Sequence, residues 1–339
     1  MEAEIFSTEG LSSLNKRKAV TDIDALALIP SNFGELSLLI GDCKTLKNQS
    51  PISRALWLNG LMNLIKATKG IVLLTKEAEN DHKLLASKLD VSIFSDKDFD
   101  FYQFKTRVNN DDSISALCDG ENWDKYYDIQ KRFSSLSPAF NFIKNDFWNI
   151  DESPFKLRKT LSVIRDIRRE LNPNHSLQVA LAADLISLFS ITFNYVIRKV
   201  FNQSLLFDTK ENLSNELKLL IWGGGEQYQH FNLLYKAASS KGEEAEIALP
   251  EWDMFVQLIR QGLETPFATA HVPLIMKEVA FEYIDPTKSD QYNLAVTLAK
   301  ENPQAAKLAI MITEYICKAC KLPAEFEDII NTRIIKIQS

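Results

Sequence analysis

Over the first hundred residues, short apolar runs of strand type alternate with stretches whose apolar positions recur at helical spacing. Ala3–Ser7 reads as a short strand. Ala19–Ile29 (AVTDIDALALI) reads as a longer one, apolar at alternate positions around Ile23, with a turn at Pro30, Ser31 and Asn32. Glu35–Cys43 (ELSLLIGDC) is the next strand, and its Leu38-Leu39-Ile40 run predicts burial on both faces. Pro51 belongs in a first helical turn with Ser50 as its cap. Ile52, Leu56, Leu58, Leu61, Leu64 and Ile65 give that helix an apolar stripe, and Gly70 is expected to end it. Gly70–Thr75 reads as a buried strand, Glu79–Leu89 as an amphipathic helix and Val91–Phe94 as a short strand. The predicted order is β-β-β-α-β-α-β.

Residues 96–122 are polar and rich in Asp, and read as a junction. From Trp123 the apolar period is close to 3.6 almost everywhere. Helices are predicted near 124–134, 137–148, 154–171, 175–202, 210–222, 226–241, 250–264, 272–283, 289–301, 303–320 and 323–333. Proline and the Asn172-Pro173-Asn174 and Gly223-Gly224-Gly225 runs mark breaks between them. The pattern therefore predicts an α/β domain over 1–100 and an all-α domain over 120–339.

Composition adds few exclusions. The chain has 339 residues, 45% of them hydrophobic and 25% charged, which is ordinary for a folded globular protein. Its net charge of −6 lacks the basic excess of many nucleic-acid proteins. Four cysteines are too few for a disulfide scaffold at this length and fit a reduced, cytoplasmic setting. Cys317 and Cys320 form a CxxC at the end of an apolar helical run, which reads as core packing, since two further zinc ligands are not nearby. The N-terminal MEAEIFSTEG is acidic and has no apolar run of signal-peptide length. Leu177–Ile197 is long enough to span a membrane, but Gln178, Asp184 and Asn194 interrupt it. It is expected to be a buried core helix, with no membrane partner.

Chemistry concentrates in Thr21-Asp22-Ile23-Asp24 and Gly41-Asp42-Cys43-Lys44. On successive antiparallel strands, Asp42 and Lys44 share a face by the strand period of two, and Asp24 falls opposite them. Two carboxylates and an ammonium converging at one sheet end suit a hard divalent cation with oxygen ligands. Asp is disfavoured in strands, and burying it unpaired is costly. The spacing thus favours a site over a solvated strand end.

Residues 1–95 resemble the PD-(D/E)xK nuclease superfamily, in particular its Mrr-like restriction-endonuclease branches. Asp24 matches the metal-binding aspartate of the first motif, with Asp22 as a near alternative, and Asp42 and Lys44 match the (D/E)xK pair. The resemblance implies a restriction-endonuclease-like α/β domain ahead of the all-α one. It implies a Mg²⁺- or Mn²⁺-dependent endonuclease acting on DNA, in a restriction or phage-defence setting. Asp24, Asp42 and the Cys43 carbonyl would ligate the metal, and Lys44 would position the attacking water. Glu4 and Glu9 are the acidic residues near the first strand, where the family carries a glutamate-bearing helix. Gln49 precedes the helix in which relatives carry Gln or Tyr. The second reading is a catalytically decayed nuclease fold that serves as a nucleic-acid or protein interaction module.

Other features point more weakly. The stretch from Lys156 to Arg169 (KLRKTLSVIRDIRR) is basic and reads first as a solvated face, second as a phosphate-contacting one through Arg158, Arg165 and Arg169. Gly223–Gly225 lacks the Lys-Ser/Thr of a phosphate loop. His82, His175, His230 and His271 show no ligand spacing. The helical domain is expected to hold a protein partner, a second copy or substrate.

Overall fold

The computed structural model describes residues 1–6, 19–44, 50–106, 114–203, 209–239 and 246–338, with Lys44 described in its main chain only. A sheet-containing N-terminal region is followed by a mostly helical one. Two compact units form the chain. One comprises Met1–Ser31, Glu35–Asp112 and Lys144–Asp151, the other Asn32–Gly34, Ser113–Ile143 and Glu152–Ser339.

The first unit holds two sheets. Strands β1 (Ala3–Phe6) and β2 (Ala19–Ile23) form an antiparallel pair. Strands β3 (Ala25–Pro30), β4 (Leu36–Lys44), β5 (Lys69–Leu74) and β6 (Val91–Ser95) form a second sheet in that order. β3 and β4 run antiparallel, and the other pairings are parallel. Parallel neighbours need crossover connections. Helix α1 (Pro51–Ile65) supplies the first and α2 (Asn80–Ser87) the second; α3 (Asp96–Thr106) follows β6.

Ile40, Val72, Leu74, Val91 and Ile93 are buried together with Ala55, Leu58, Leu61 and Met62 of α1. Gly70 permits this approach: a Cβ there would lie 2.8 Å from Leu58 Cδ2 and from Met62 Sδ. The alternate positions of β5 and β6 are only partly covered, and Leu36, Leu38 and Leu39 of β4 are half-buried. Burial on both faces, expected from the Leu38–Ile40 run, is therefore confined to one.

Four other expectations are corrected. Ala19–Ile29 is two strands, broken at Asp24, because β2 pairs with β1 and β3 with β4. Helix α1 ends at Lys66, which takes the left-handed conformation at φ 60°, and Gly70 is already in β5. Leu56 and Leu64 are exposed, since Leu and Trp lie all round this helix and apolar spacing does not single out one face. Residues 96–106, expected as junction, form α3, a helix without a buried side chain.

The segment 144–151 returns to the first unit and closes the outer edge of β1. Asn145 Oδ1 accepts from the Glu4 amide at 2.9 Å, and Asn149 Oδ1 from the Phe6 amide at 2.8 Å. Asn149 Nδ2 donates back to the Glu4 carbonyl at 2.8 Å. Two amide side chains thus stand in for a neighbouring strand.

The second unit is helical: α4 (Gly120–Tyr127), α5 (Ile129–Arg132), α6 (Ser137–Asn141), α7 (Ser153–Ile167), α8 (Ser176–Gln203), α9 (Lys210–Ile221), α10 (Gly225–Ala238), α11 (Trp252–Glu264), α12 (Val272–Glu282), α13 (Leu294–Glu301), α14 (Pro303–Cys320) and α15 (Ala324–Gln338). Most of these follow the predicted segments, because they bury a stripe at a 3.6 period, whereas α10 matches its predicted segment without burying a residue. Helix α8 is long and apolar enough to cross a membrane, yet 89% of its most apolar window is buried inside the protein. α7 and α12 pack along it.

Asp184, in the middle of α8, has no solvent exposure. Lys277 of α12 places its Nζ 2.6 Å from Asp184 Oδ2, and the Tyr126 hydroxyl donates to the same oxygen. The ammonium also lies 5.0–5.7 Å from the Trp123, Tyr126 and Phe281 ring centroids. Burial, then the nearby Asp184 charge, pushes the Tyr126 hydroxyl well above its ordinary range. The next residue on α12, Glu278, is also fully buried and accepts from the Ser115 hydroxyl and, at 3.0 Å, from the Ala116 amide. It thereby anchors the 3₁₀ turn Ala116–Cys118. Burial pushes its carboxyl up to about 7 despite those donors. Cys317 and Cys320 are buried on α14, and burial pushes both thiols up to about 12, as core packing requires.

Two outcomes follow from these buried charges. Lys277→Met leaves Asp184 with an uncompensated charge in the core and should destabilise by about 3–5 kcal/mol; an unchanged urea midpoint would refute the pairing. Glu278 holds its proton to about 7 when folded, against 4.5 for an ordinary glutamate. The folded state therefore binds more protons than the unfolded one between those values, and stability falls as pH rises through that window. Glu278→Gln should gain on wild type across it by on the order of 3 kcal/mol, read as urea midpoints at successive pH values; a pH-independent gap would contradict the assignment.

Candidate functional site

The β3–β4 register determines what meets at the end of the hairpin. Leu26 pairs with Ile40 and Ala25 with Gly41. The next residue back is Asp24 and the next forward is Asp42, so the two aspartates occupy facing positions where the ladder ends. Gly41 permits the close pairing at this point, since a Cβ there would lie 3.2 Å from the Ala25 Cβ. Asp24 sits in the bend between β2 and β3 and is half-buried. Its Oδ2 accepts the Cys43 amide at 2.8 Å, which ties the bend to β4 across the hairpin.

Asp42 is 2% exposed. It lies two residues beyond the fully buried Ile40 and pairs in register with Val72 of β5. Arg54, in the first turn of α1, meets it with a fork: Nε donates to Oδ2 at 2.9 Å and Nη2 to Oδ1. The side chains are 14% and 3% exposed respectively. One turn along the helix, the Trp57 ring lies under the guanidinium, its centroid 4.2 Å from Arg54 Cζ. A planar cation matched to a carboxylate and stacked on an aromatic face is the arrangement for which arginine is suited and lysine is not.

The predicted residues therefore divide. Asp24, Asp42 and Cys43 come together at one end of the sheet. Lys44 pairs in register with Leu74 at the end of β4; its side chain lies outside the described residues, as do Glu9 and Gln49. Glu4 and Asp22 face each other in the β1–β2 pair instead, with Asp22 exposed. Arg54 was absent from the sequence-derived set. Its signal in the chain is slight: one cation early in a helix whose neighbours are apolar.

Among the described residues, no group of three or more His, Cys, Asp or Glu side chains is placed to hold a metal. The oxygen donors at the hairpin end are two carboxylates and the Cys43 main chain, a hard set of the kind Mg²⁺ accepts with water completing its shell. The set fits a divalent cation in chemistry. Both Asp42 oxygens, however, are engaged by Arg54.

The remaining sequence candidates are structural. Arg158 turns inward over Trp222, 4.5 Å from its ring centroid, and burial lowers its basicity. It does not share an exposed face with Arg165 and Arg169, so the phosphate-contacting face, the second reading of this stretch, is broken at its first member. Gly223 and Gly224 adopt φ 87° and 104° and separate α9 from α10.

Arg54→Met should cost about 3–5 kcal/mol by removing the guanidinium fork from the buried Asp42 carboxylate. Arg54→Met combined with Asp42→Leu should recover most of that loss, because an apolar pair of similar volume removes the need for compensation. Urea denaturation of both variants checks this, and a double variant no more stable than the single one would refute it. No protein-family model, curated protein or solved structure matches the chain.

Proposed function

We propose that the first unit is a divalent-cation-dependent nuclease, acting as a DNA endonuclease. One observation carries the reading: the β3–β4 register that sets Asp24 beside Asp42, with Lys44 two residues further along β4. An antiparallel hairpin bearing these residues, followed by α1 and the parallel strand β5, is the order the nuclease resemblance calls for. Asp24, Asp42 and the Cys43 carbonyl would hold Mg²⁺ or Mn²⁺. The ion supplies charge neutralisation at the phosphate and a more acidic bound water. Asp24 anchors the Cys43 main chain, which fixes the end of β4 where the ligands gather. Lys44 orients the water that attacks phosphorus. The covering helix α1 restricts access to Asp42 from its own side of the sheet.

A second reading has its own support. The Arg54 fork consumes the charge of Asp42 inside the fold, as a purely structural pair would. On that reading the unit is a nuclease-like scaffold that binds nucleic acid or protein without cleaving.

Cleavage of supercoiled plasmid by the full chain separates the two. The nuclease reading expects nicking with Mg²⁺ or Mn²⁺ that EDTA stops. Lys44→Ala should slow it by ~10²–10⁴-fold, the usual worth of a proton-transfer or water-orienting group, and Asp42→Asn should abolish it. Cleavage that survives both substitutions would place the site elsewhere. Absence of both cleavage and Mn²⁺ binding would favour the scaffold.

A further inference from the structure

Arg54 stands where a metal's charge would stand. Its guanidinium occupies the carboxylate of Asp42 through both oxygens, with Nε at 2.9 Å from Oδ2. The pair is nearly withdrawn from water. A buried ionised carboxylate is costly unless it is compensated, and this chain supplies Asp42 with a cation of its own. A divalent ion that ligates Asp42 uses the same lone pairs, and a guanidinium left in contact would face a like charge with little water between them. Ion and guanidinium are therefore mutually exclusive on Asp42.

The side chain also has somewhere to go. Trp57, one turn further along α1, is partly exposed at 36%, with the Arg54 Cζ already 4.2 Å from its ring centroid. Rotation about the long Arg54 side chain lifts the fork off Asp42 toward solvent along that aromatic face.

We propose that Arg54 is a built-in exchange cation: it satisfies Asp42 in the free protein and is displaced when a divalent ion binds. This rests on the metal-site reading above and adds its regulation. The resting protein has an intact core and a closed site, and apparent metal affinity is reduced by the strength of the fork. Arg54 acts through Asp42 and is a positioning residue.

The test uses the full chain. Mn²⁺ is titrated calorimetrically into wild type, Arg54→Lys and Arg54→Met. Mg²⁺ is titrated while tryptophan emission is followed, with Trp57→Phe subtracted to isolate Trp57. Exchange expects Arg54→Met to bind Mn²⁺ about tenfold tighter or more, a factor equal to ~1.4 kcal/mol of competition removed. Arg54→Lys, which keeps the charge but loses the fork, should lie between. In wild type Mg²⁺ should shift the Trp57 emission as the guanidinium leaves the ring, and in Arg54→Met it should not. If Arg54→Met fails to fold, the Arg54→Lys affinity and the wild-type Trp57 signal decide by the same criteria. Affinity that is unchanged or weaker in the variants, or a silent Trp57 on metal binding, overturns exchange and leaves the metal site standing. Failure of wild type and both variants to bind either ion overturns exchange together with the reading it rests on.

Discussion

The buried charge of Asp42 constrains the whole first unit. An ionised carboxylate on the covered side of this mixed sheet needs compensation, and the crossover helix that follows supplies a cation. Arg54 is placed for this because α1 begins at Pro51, directly after β4, and packs across β5 with Gly70 clearing its path. Packing of α1, the end of β4 and the neutrality of the sheet face are thus one problem with one solution. Whether that solution is permanent or exchangeable separates a scaffold from an enzyme.

The helical unit meets the same constraint differently. Asp184 lies in the centre of α8, where a helix surrounded on all sides has no wet face to offer it. It is compensated by Lys277 from a neighbouring helix and by a tyrosine hydroxyl, under a cover of aromatic rings. Lysine suits this place because one compact charge is shared between a carboxylate oxygen and three ring faces. Arginine suits Asp42 because a fork engages both oxygens. The neighbouring Glu278 has donors but no cation within its own hydrogen-bond set, and its carboxyl shifts upward accordingly.

Legibility in the sequence followed the physics of each part. Helices such as α8 and α14 were plain because a packed helix must repeat its apolar face every 3.6 residues. The hairpin register was plain because Asp is unwelcome in strands, so Asp24 and Asp42 announced a special place. The break at Asp24 was hidden: no glycine or proline interrupts AVTDIDALALI, and only the choice of two pairing partners divides it. α3 was hidden because its Asp-rich start reads as a polar junction and it buries no side chain. Arg54 was hidden because the need for it is created by tertiary contact, and a lone arginine in an apolar helix has the same appearance whether it faces solvent or a carboxylate.

The asparagines at 145 and 149 carry a consequence for how this chain is made. Strand β1 is synthesised well before the groups that close its outer edge, which emerge some 140 residues later, as the sequence separation of these bonds shows. Until then β1 presents open main-chain donors and acceptors, the feature through which unfinished chains recruit one another. A fragment cut in the polar stretch after α3, the natural place to divide the chain by composition, would keep that edge bare for its lifetime. The first unit is discontinuous in sequence, and dissection of its chemistry calls for the intact polypeptide or for residues 144–151 supplied as a separate peptide.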